Sequence, residues 1–117
     1  MTSSSRKIGL SVRLDLPDGD RFGPGMANLL QRISDEGSIR SAATALGMSY
    51  PKALKLVDAM NGAFETPLIK ARHGGKDHGG AKLTETGQRV LNLYHQLCDQ
   101  AAADAGGALD TLETLLK

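Results

Sequence analysis

A mostly α fold with a small β component is what this 117-residue sequence predicts. Three features point to it. Two short helical patterns between Ser38 and Asn61 are separated by one glycine, Gly47. A run from Ile8 to Leu16 alternates strictly between apolar and other residues. A glycine-rich stretch, HGGKDHGG from His73 to Gly80, lies between two strand-like runs and ahead of a long helical pattern.

Taken in order, residues 1–7 are polar and expected to be loose. In IGLSVRLDL, Ile8, Leu10, Val12, Leu14 and Leu16 share one face and Gly9, Ser11, Arg13 and Asp15 the other. That is the period of a half-buried strand. Such a strand needs a partner, elsewhere in the chain or in another subunit. Pro17, Asp18 and Gly19 end it as a turn. Pro24 suits the first turn of a helix whose stripe is Met26, Leu29, Leu30 and Ile33, with Gly37 as its terminator.

The next helix carries Ile39, Ala42, Ala43 and Leu46 at i, i+3, i+4 and i+7, with Ser38 as N-cap. Gly47 allows the sharp turn. The helix beyond it opens with Ser49 as cap and Pro51 in its first turn, and turns Ala53, Val57, Met60 and Phe64 inward. Small Ala42 and Ala43 let the two helices cross closely, as a helix-turn-helix requires. The outward set is Tyr50, Lys52, Lys55, Asp58 and Ala59. In a DNA-reading helix the N-terminal side chains enter the major groove. The same pattern also fits an ordinary helical hairpin with solvated lysines.

Phe64 and Pro67 mark the exit from these helices. Leu68–Arg72 and Ala81–Leu83 are expected to pair as a β-hairpin wing about the glycine loop. Its glycines would let backbone approach a sugar-phosphate wall, with Arg72, Lys76 and Lys82 supplying charge. A simple glycine turn explains them equally well. From Thr84, an expected N-cap, a long helix carries Leu83, Gly87, Val90, Tyr94, Leu97 and Ala101 at heptad-like steps. That seam fits a homodimer interface (Val90, Tyr94, Leu97, Ala101) or a helix covering its own core. Gly106 and Gly107 are expected to interrupt it, leaving Leu109, Leu112, Leu115 and Leu116 for a last amphipathic turn or two. The divisions are 1–7, a binding domain over 8–83, and a linker and dimerisation helix over 84–117.

Net charge is only +1, but its distribution is uneven. Glu36 to Lys82 holds seven Lys or Arg against four acids; Leu83 to Lys117 holds two against five. A basic middle and acidic tail suit a binding face with a separate structural end. One cysteine, Cys98, excludes an intrachain disulfide and a cysteine metal cluster. No apolar run reaches the roughly 18 residues of a membrane span, and the start lacks a signal peptide's apolar core. A cytoplasmic protein without membrane contact is expected, its core built mostly from Leu, Ile, Val, Ala and Met. His73, His78 and His95 show no metal-ligand spacing, so no metal is expected. GGKDHGGAK lacks the ending of a phosphate loop. No nucleophile arrangement is recognisable, so an enzyme is not expected.

GSIRSAATALGMSYPKALKLVDAMN followed by PLIKARHGGKDHGGAKLTETGQRVLNLYHQL resembles the N-terminal DNA-binding domain of ModE-type molybdate-responsive transcription regulators, relatives of the LysR-type winged helices. The broader features are Ala42-Ala43 with Gly47, Ser49 and Pro51 opening the second helix, and the Leu83-Thr84-Glu85-Thr86-Gly87 run; the narrower are Ser49-Tyr50, Met60-Asn61 and the Gly-Gly-Lys run with a later Gly-Gly in the wing. The resemblance covers about residues 10–97 and implies a winged helix-turn-helix with an N-terminal strand, a wing and a dimer joined through helical ends. It implies that Ser49, Tyr50, Pro51, Lys52 and Lys55 face the groove, and Arg72 and Lys76 phosphates. With the cap Ser38, its neighbour Arg40 and the wing's Lys82, these are the candidate contacts to double-stranded DNA. Full-length ModE-type regulators carry C-terminal oxyanion-binding modules; none is expected from these residues, and so no cofactor is expected. The implied function is a homodimeric transcription regulator, a repressor, on a two-fold operator, linked to molybdate or another metal oxyanion. The alternatives are a winged-helix protein-interaction module without sequence-specific DNA binding, or an oxyanion site at the dimer interface.

Overall fold

The computed structural model describes residues 7–72 and 80–117. Within them the order is β1 (Leu14–Asp15), β2 (Arg21–Phe22), α1 (Pro24–Glu36), α2 (Ile39–Leu46), α3 (Tyr50–Ala63), β3 (Ile69–Arg72), β4 (Gly80–Leu83) and α4 (Glu85–Thr114). The expected helix-turn-helix and hairpin wing are both present. Most of the expected loose N-terminus (1–6) and the loop with His73, Lys76 and His78 lie outside the described residues.

The expected strand from Ile8 to Leu16 is shorter. Only Leu14 and Asp15 find a ladder, antiparallel to Phe22 and Arg21 across the Pro17–Gly19 turn. Alternation survives beyond the ladder, since Val12, Leu14 and Leu16 pack on the core while Arg13 and Asp15 are exposed. Leu10, however, is 45% exposed. Upstream, the partner is a helix rather than a strand. The Tyr94 hydroxyl donates to the Val12 carbonyl at 2.6 Å, and the Ile8 N–H donates to Glu113 Oε2 at 2.8 Å. A period of two shows which side is buried, not whether a neighbouring strand exists.

Leu29, Leu30 and Ile33 of α1 are fully buried against Ala42 and Ala43 of α2 and Ala53, Val57 and Met60 of α3. Gly37 (φ 80°) and Gly47 (φ 69°) close α1 and α2 in the left-handed region, where a side chain would be strained. Ser38 Oγ accepts the Ser41 N–H and Ser49 Oγ the Lys52 N–H, as the caps predict. The core is more aromatic than its composition suggests. Phe22 is buried and stands edge-on to both Phe64 (6.5 Å) and Tyr94 (5.2 Å). Burial pushes the Tyr94 hydroxyl up to about 12, with Cys98 adding to the effect, so near neutral pH it stays a hydrogen-bond donor to Val12.

α4 runs unbroken through Gly106 and Gly107, contrary to the expected interruption. A continuous helix satisfies the glycine amides, and the cost is only about 1 kcal/mol each relative to alanine. A Cβ at Gly107 would meet nothing within 4 Å. Gly107→Ala should therefore raise stability by about 1 kcal/mol, read as a higher midpoint in urea unfolding.

Candidate nucleic-acid interface

α3 places Lys52 and Lys55 fully on the outside, with Tyr50 half-buried at its N-terminus and Pro51 exposed beside it. The inward stripe of Ala53, Val57 and Met60 fixes this rotation, because one helix face cannot be both core and surface. Arg40, in the first turn of α2, lays its guanidinium over the Tyr50 ring at 4.0 Å from the centroid. That stacking holds both side chains at the junction of the two helices.

The wing arrives beside them. β3 and β4 pair Ile69 with Leu83, Lys70 with Lys82, Ala71 with Ala81 and Arg72 with Gly80. Ile69 and Ala81 are buried, which turns Lys70, Arg72 and Lys82 to the opposite, exposed face. Lys70 directly opposite Lys82 is a like-charge pair, unfavourable in a sheet until an anion joins it. A cleft of about 310 Å³ runs between the helices and the wing, lined among others by Ser38, Arg40, Tyr50, Arg72 and Gly80. Four of the residues expected at the DNA face thus meet in one place. The described ion pairs are Arg13–Asp15, Arg21–Asp15 and Arg32–Glu36; among the described residues none involves Arg40, Lys52, Lys55, Lys70, Arg72 or Lys82.

The wing's root is tied to three helices. The Ala81 N–H donates to the Gly37 carbonyl at 2.9 Å, joining β4 to the end of α1. Asn61 of α3 accepts the N–H groups of Leu68 and Ile69 on Oδ1 (2.9 and 3.0 Å) and donates from Nδ2 to the Ile69 carbonyl (3.2 Å). Thr84 caps α4 by accepting the Gly87 N–H at 3.0 Å, and its hydroxyl donates to the Pro67 carbonyl at 2.7 Å. Its N–H reaches the Leu68 carbonyl at 2.9 Å. Sequence reasoning assigned no role to Lys70 or Asn61. Lys70 was legible from the strand alternation that places it with Arg72; the reach of Asn61 to the strand was not.

The expected dimer residues divide. Tyr94 is 5% exposed and belongs to this protomer's own core, a correction to the expected seam. The reason is its hydroxyl's bond to Val12 and its ring's contact with Phe22. Val90 packs half-buried on the same core, and Ala101 is half-buried. Leu97 and Leu93 are 36% and 54% exposed. They edge an apolar groove of about 180 Å³ whose other walls include Leu14, Leu16, Phe22 and Phe64. Among the described residues no three His, Cys, Asp or Glu side chains gather as a metal site. Nor is any described helix long and apolar enough to cross a membrane.

Residues 26–88 match the family described as bacterial regulatory helix-turn-helix protein, lysR family. The chain is similar to the molybdenum-pterin-binding protein MopA of Rhodobacter capsulatus, 39% identical over 100 residues, 86% of this chain and 37% of that protein. It is similar to the molybdenum transport protein ModE of Azotobacter vinelandii, 36% identical over 86 residues, 74% of this chain and 32% of that protein. The DNA-binding transcriptional dual regulator ModE of Escherichia coli K12 is 40% identical over 74 residues, 63% of this chain and 28% of that protein. The chain thus spans about a third of the length of these curated relatives. The matched segment runs from α1 through the helix-turn-helix and wing into the first turn of α4, the same elements that assemble the cationic cleft. This chain belongs to the lysR family of bacterial regulatory helix-turn-helix proteins.

Proposed function

We propose that this chain binds duplex DNA as a homodimer and represses transcription, in a system linked to molybdenum metabolism. One observation carries the reading: Lys52 and Lys55 stand exposed near the start of α3, beside a wing that presents Lys70, Arg72 and Lys82. On this reading the first pair enters the major groove and the second set meets flanking phosphates. Ser38, Ser49 and Pro51 shape the helix starts, and Arg40 and Tyr50 fill the junction. Lys76 belongs with the wing cations by sequence position. The homodimer reading is supported by the apolar groove edged by Leu93 and Leu97, and by exposed Leu112, Leu115 and Leu116 at the far end of α4. The molybdenum link is supported by the names of MopA and ModE. Repression by occlusion asks nothing of the chain beyond occupancy of its site. No catalytic role is proposed, and none of these residues is offered as a metal or oxyanion ligand.

Salt dependence tests the reading. If each protomer neutralises about three phosphates, a plot of log K against log salt for the dimer has a slope of about −5. An affinity for duplex DNA indifferent to salt contradicts it.

A further inference from the structure

We infer that Asn61 is a positioning residue that sets the wing's cations in register with the recognition helix, so that both engage one DNA duplex. This inference rests on the DNA-binding reading above.

Asn61 lies at the C-terminal end of α3, the helix that carries Lys52 and Lys55, and its side chain leaves that helix to hold the wing. Both ends of the carboxamide are used. Oδ1 takes two successive backbone amides, of Leu68 and Ile69, and Nδ2 returns a bond to the Ile69 carbonyl. Three bonds to two adjacent residues fix the direction of a strand, which a single bond would leave free to pivot. Ile69 begins β3, so the direction set there passes to Lys70 and Arg72 next in the strand and to Lys82 opposite. A side chain of another shape leaves two amides to find other acceptors.

Leu68 is also held from the far side, its carbonyl accepting the Thr84 N–H at 2.9 Å. One fully buried residue therefore has its N–H bound by the recognition helix and its carbonyl by the start of α4. Removing Asn61 leaves the wing attached through Thr84 and Gly37 but frees its angle to α3. The wing's ladder itself does not depend on Asn61, because the pairing of β3 with β4 uses their own backbone.

A positioning role differs from a merely structural one in a measurable way. Loss of folded protein scales the apparent affinity by one factor at every salt concentration and leaves the slope of log K against log salt unchanged. Fewer neutralised phosphates flatten that slope, by about 0.9 for each. Binding of a mixed-sequence duplex is therefore measured over a salt series for the wild type, Asn61→Leu, Asn61→Asp and Met60→Val. Asn61→Leu should flatten the dimer's slope by about two units, because the displaced wing of each protomer then leaves one phosphate un-neutralised. Asn61→Asp keeps the acceptor for both amides but replaces the donated bond with a carboxylate oxygen facing the Ile69 carbonyl, so its slope should fall between, and it serves if the leucine variant fails to fold. Met60→Val removes buried volume from the neighbouring position and leaves the three Asn61 bonds to the wing in place, and should lower the melting temperature with the wild-type slope retained. A wild-type slope in Asn61→Leu, or equal flattening in Met60→Val, overturns the inference while DNA binding stands. A wild-type chain with no duplex affinity at low salt overturns the DNA reading and this inference together.

Discussion

Replacing Lys52 and Lys55 together with alanine should weaken specific DNA binding by about 30-fold or more for each protomer engaged, and by about 1,000-fold or more for the dimer, with melting behaviour nearly unchanged. Both ammonium groups stand in solvent on the exposed face of α3, and no described acid pairs with them. Each contact to a base edge contributes about 1–3 kcal/mol of discrimination, so losing two costs about 2–6 kcal/mol per protomer. Two protomers on one site would roughly double that in free energy. Folding should not notice, because surface substitutions away from caps and buried groups change stability by about 0.5 kcal/mol or less. The Ser49 cap is retained, since it bonds the Lys52 backbone and not its side chain. Titration of a labelled duplex gives the affinity, and thermal unfolding of the same samples gives the control. A parallel loss of thermal stability would mean these lysines pack inward and α3 is rotated from the orientation described.

Gly87→Ala should be the most damaging conservative substitution for folding. A Cβ there would collide with the carbonyl oxygen of Leu68 and crowd that residue's backbone. The obstacle is main chain rather than a side chain that can swing away. That carbonyl is moreover held by Thr84, and the Leu68 N–H by Asn61, so neither partner moves without breaking a hydrogen bond. Overpacking of this kind costs about 1–3 kcal/mol, and here the upper end is expected. For a domain of this size such a loss lowers Tm by more than about 10 °C. The contrast with Gly107→Ala is the diagnostic feature. Both glycines lie in α4, and helix propensity alone would make both substitutions stabilising. Only the close approach of α4 to the wing root separates their signs. Should Gly87→Ala melt at or above the wild-type temperature, that close approach does not exist.

Residues 23–72 are where the sequence was most legible. The stripes at Leu29, Leu30 and Ile33 and at Ala53, Val57 and Met60, and the caps Ser38 and Ser49, each follow from local rules of period and hydrogen bonding. The outward placement of Lys52 and Lys55 follows from the same period. Less legible was anything decided between elements. Strict alternation from Ile8 to Leu16 could not say that α4 would take the place of a neighbouring strand along Ile8 to Arg13. Tyr94 sits on an apparent heptad seam, yet the helix rotates it into its own core because Phe22 and Val12 await it there. Gly106 and Gly107 read as a break, but a helix already committed for several turns absorbs two glycines for less than the cost of ending. At the candidate site the charges were visible in the sequence; the Arg40–Tyr50 stack and the Asn61 bonds were not, since each joins two separately predicted elements.

Selection of bound duplexes from a random pool tests the central claim most directly, because it reports recognition and symmetry together. The account predicts enrichment of one sequence whose half-sites are related by a two-fold axis and centred about 10 base pairs apart or a multiple of that. The same selection with Lys55→Ala should relax the preference within each half-site. A pool that stays random after repeated rounds, while the protein is folded, contradicts the account.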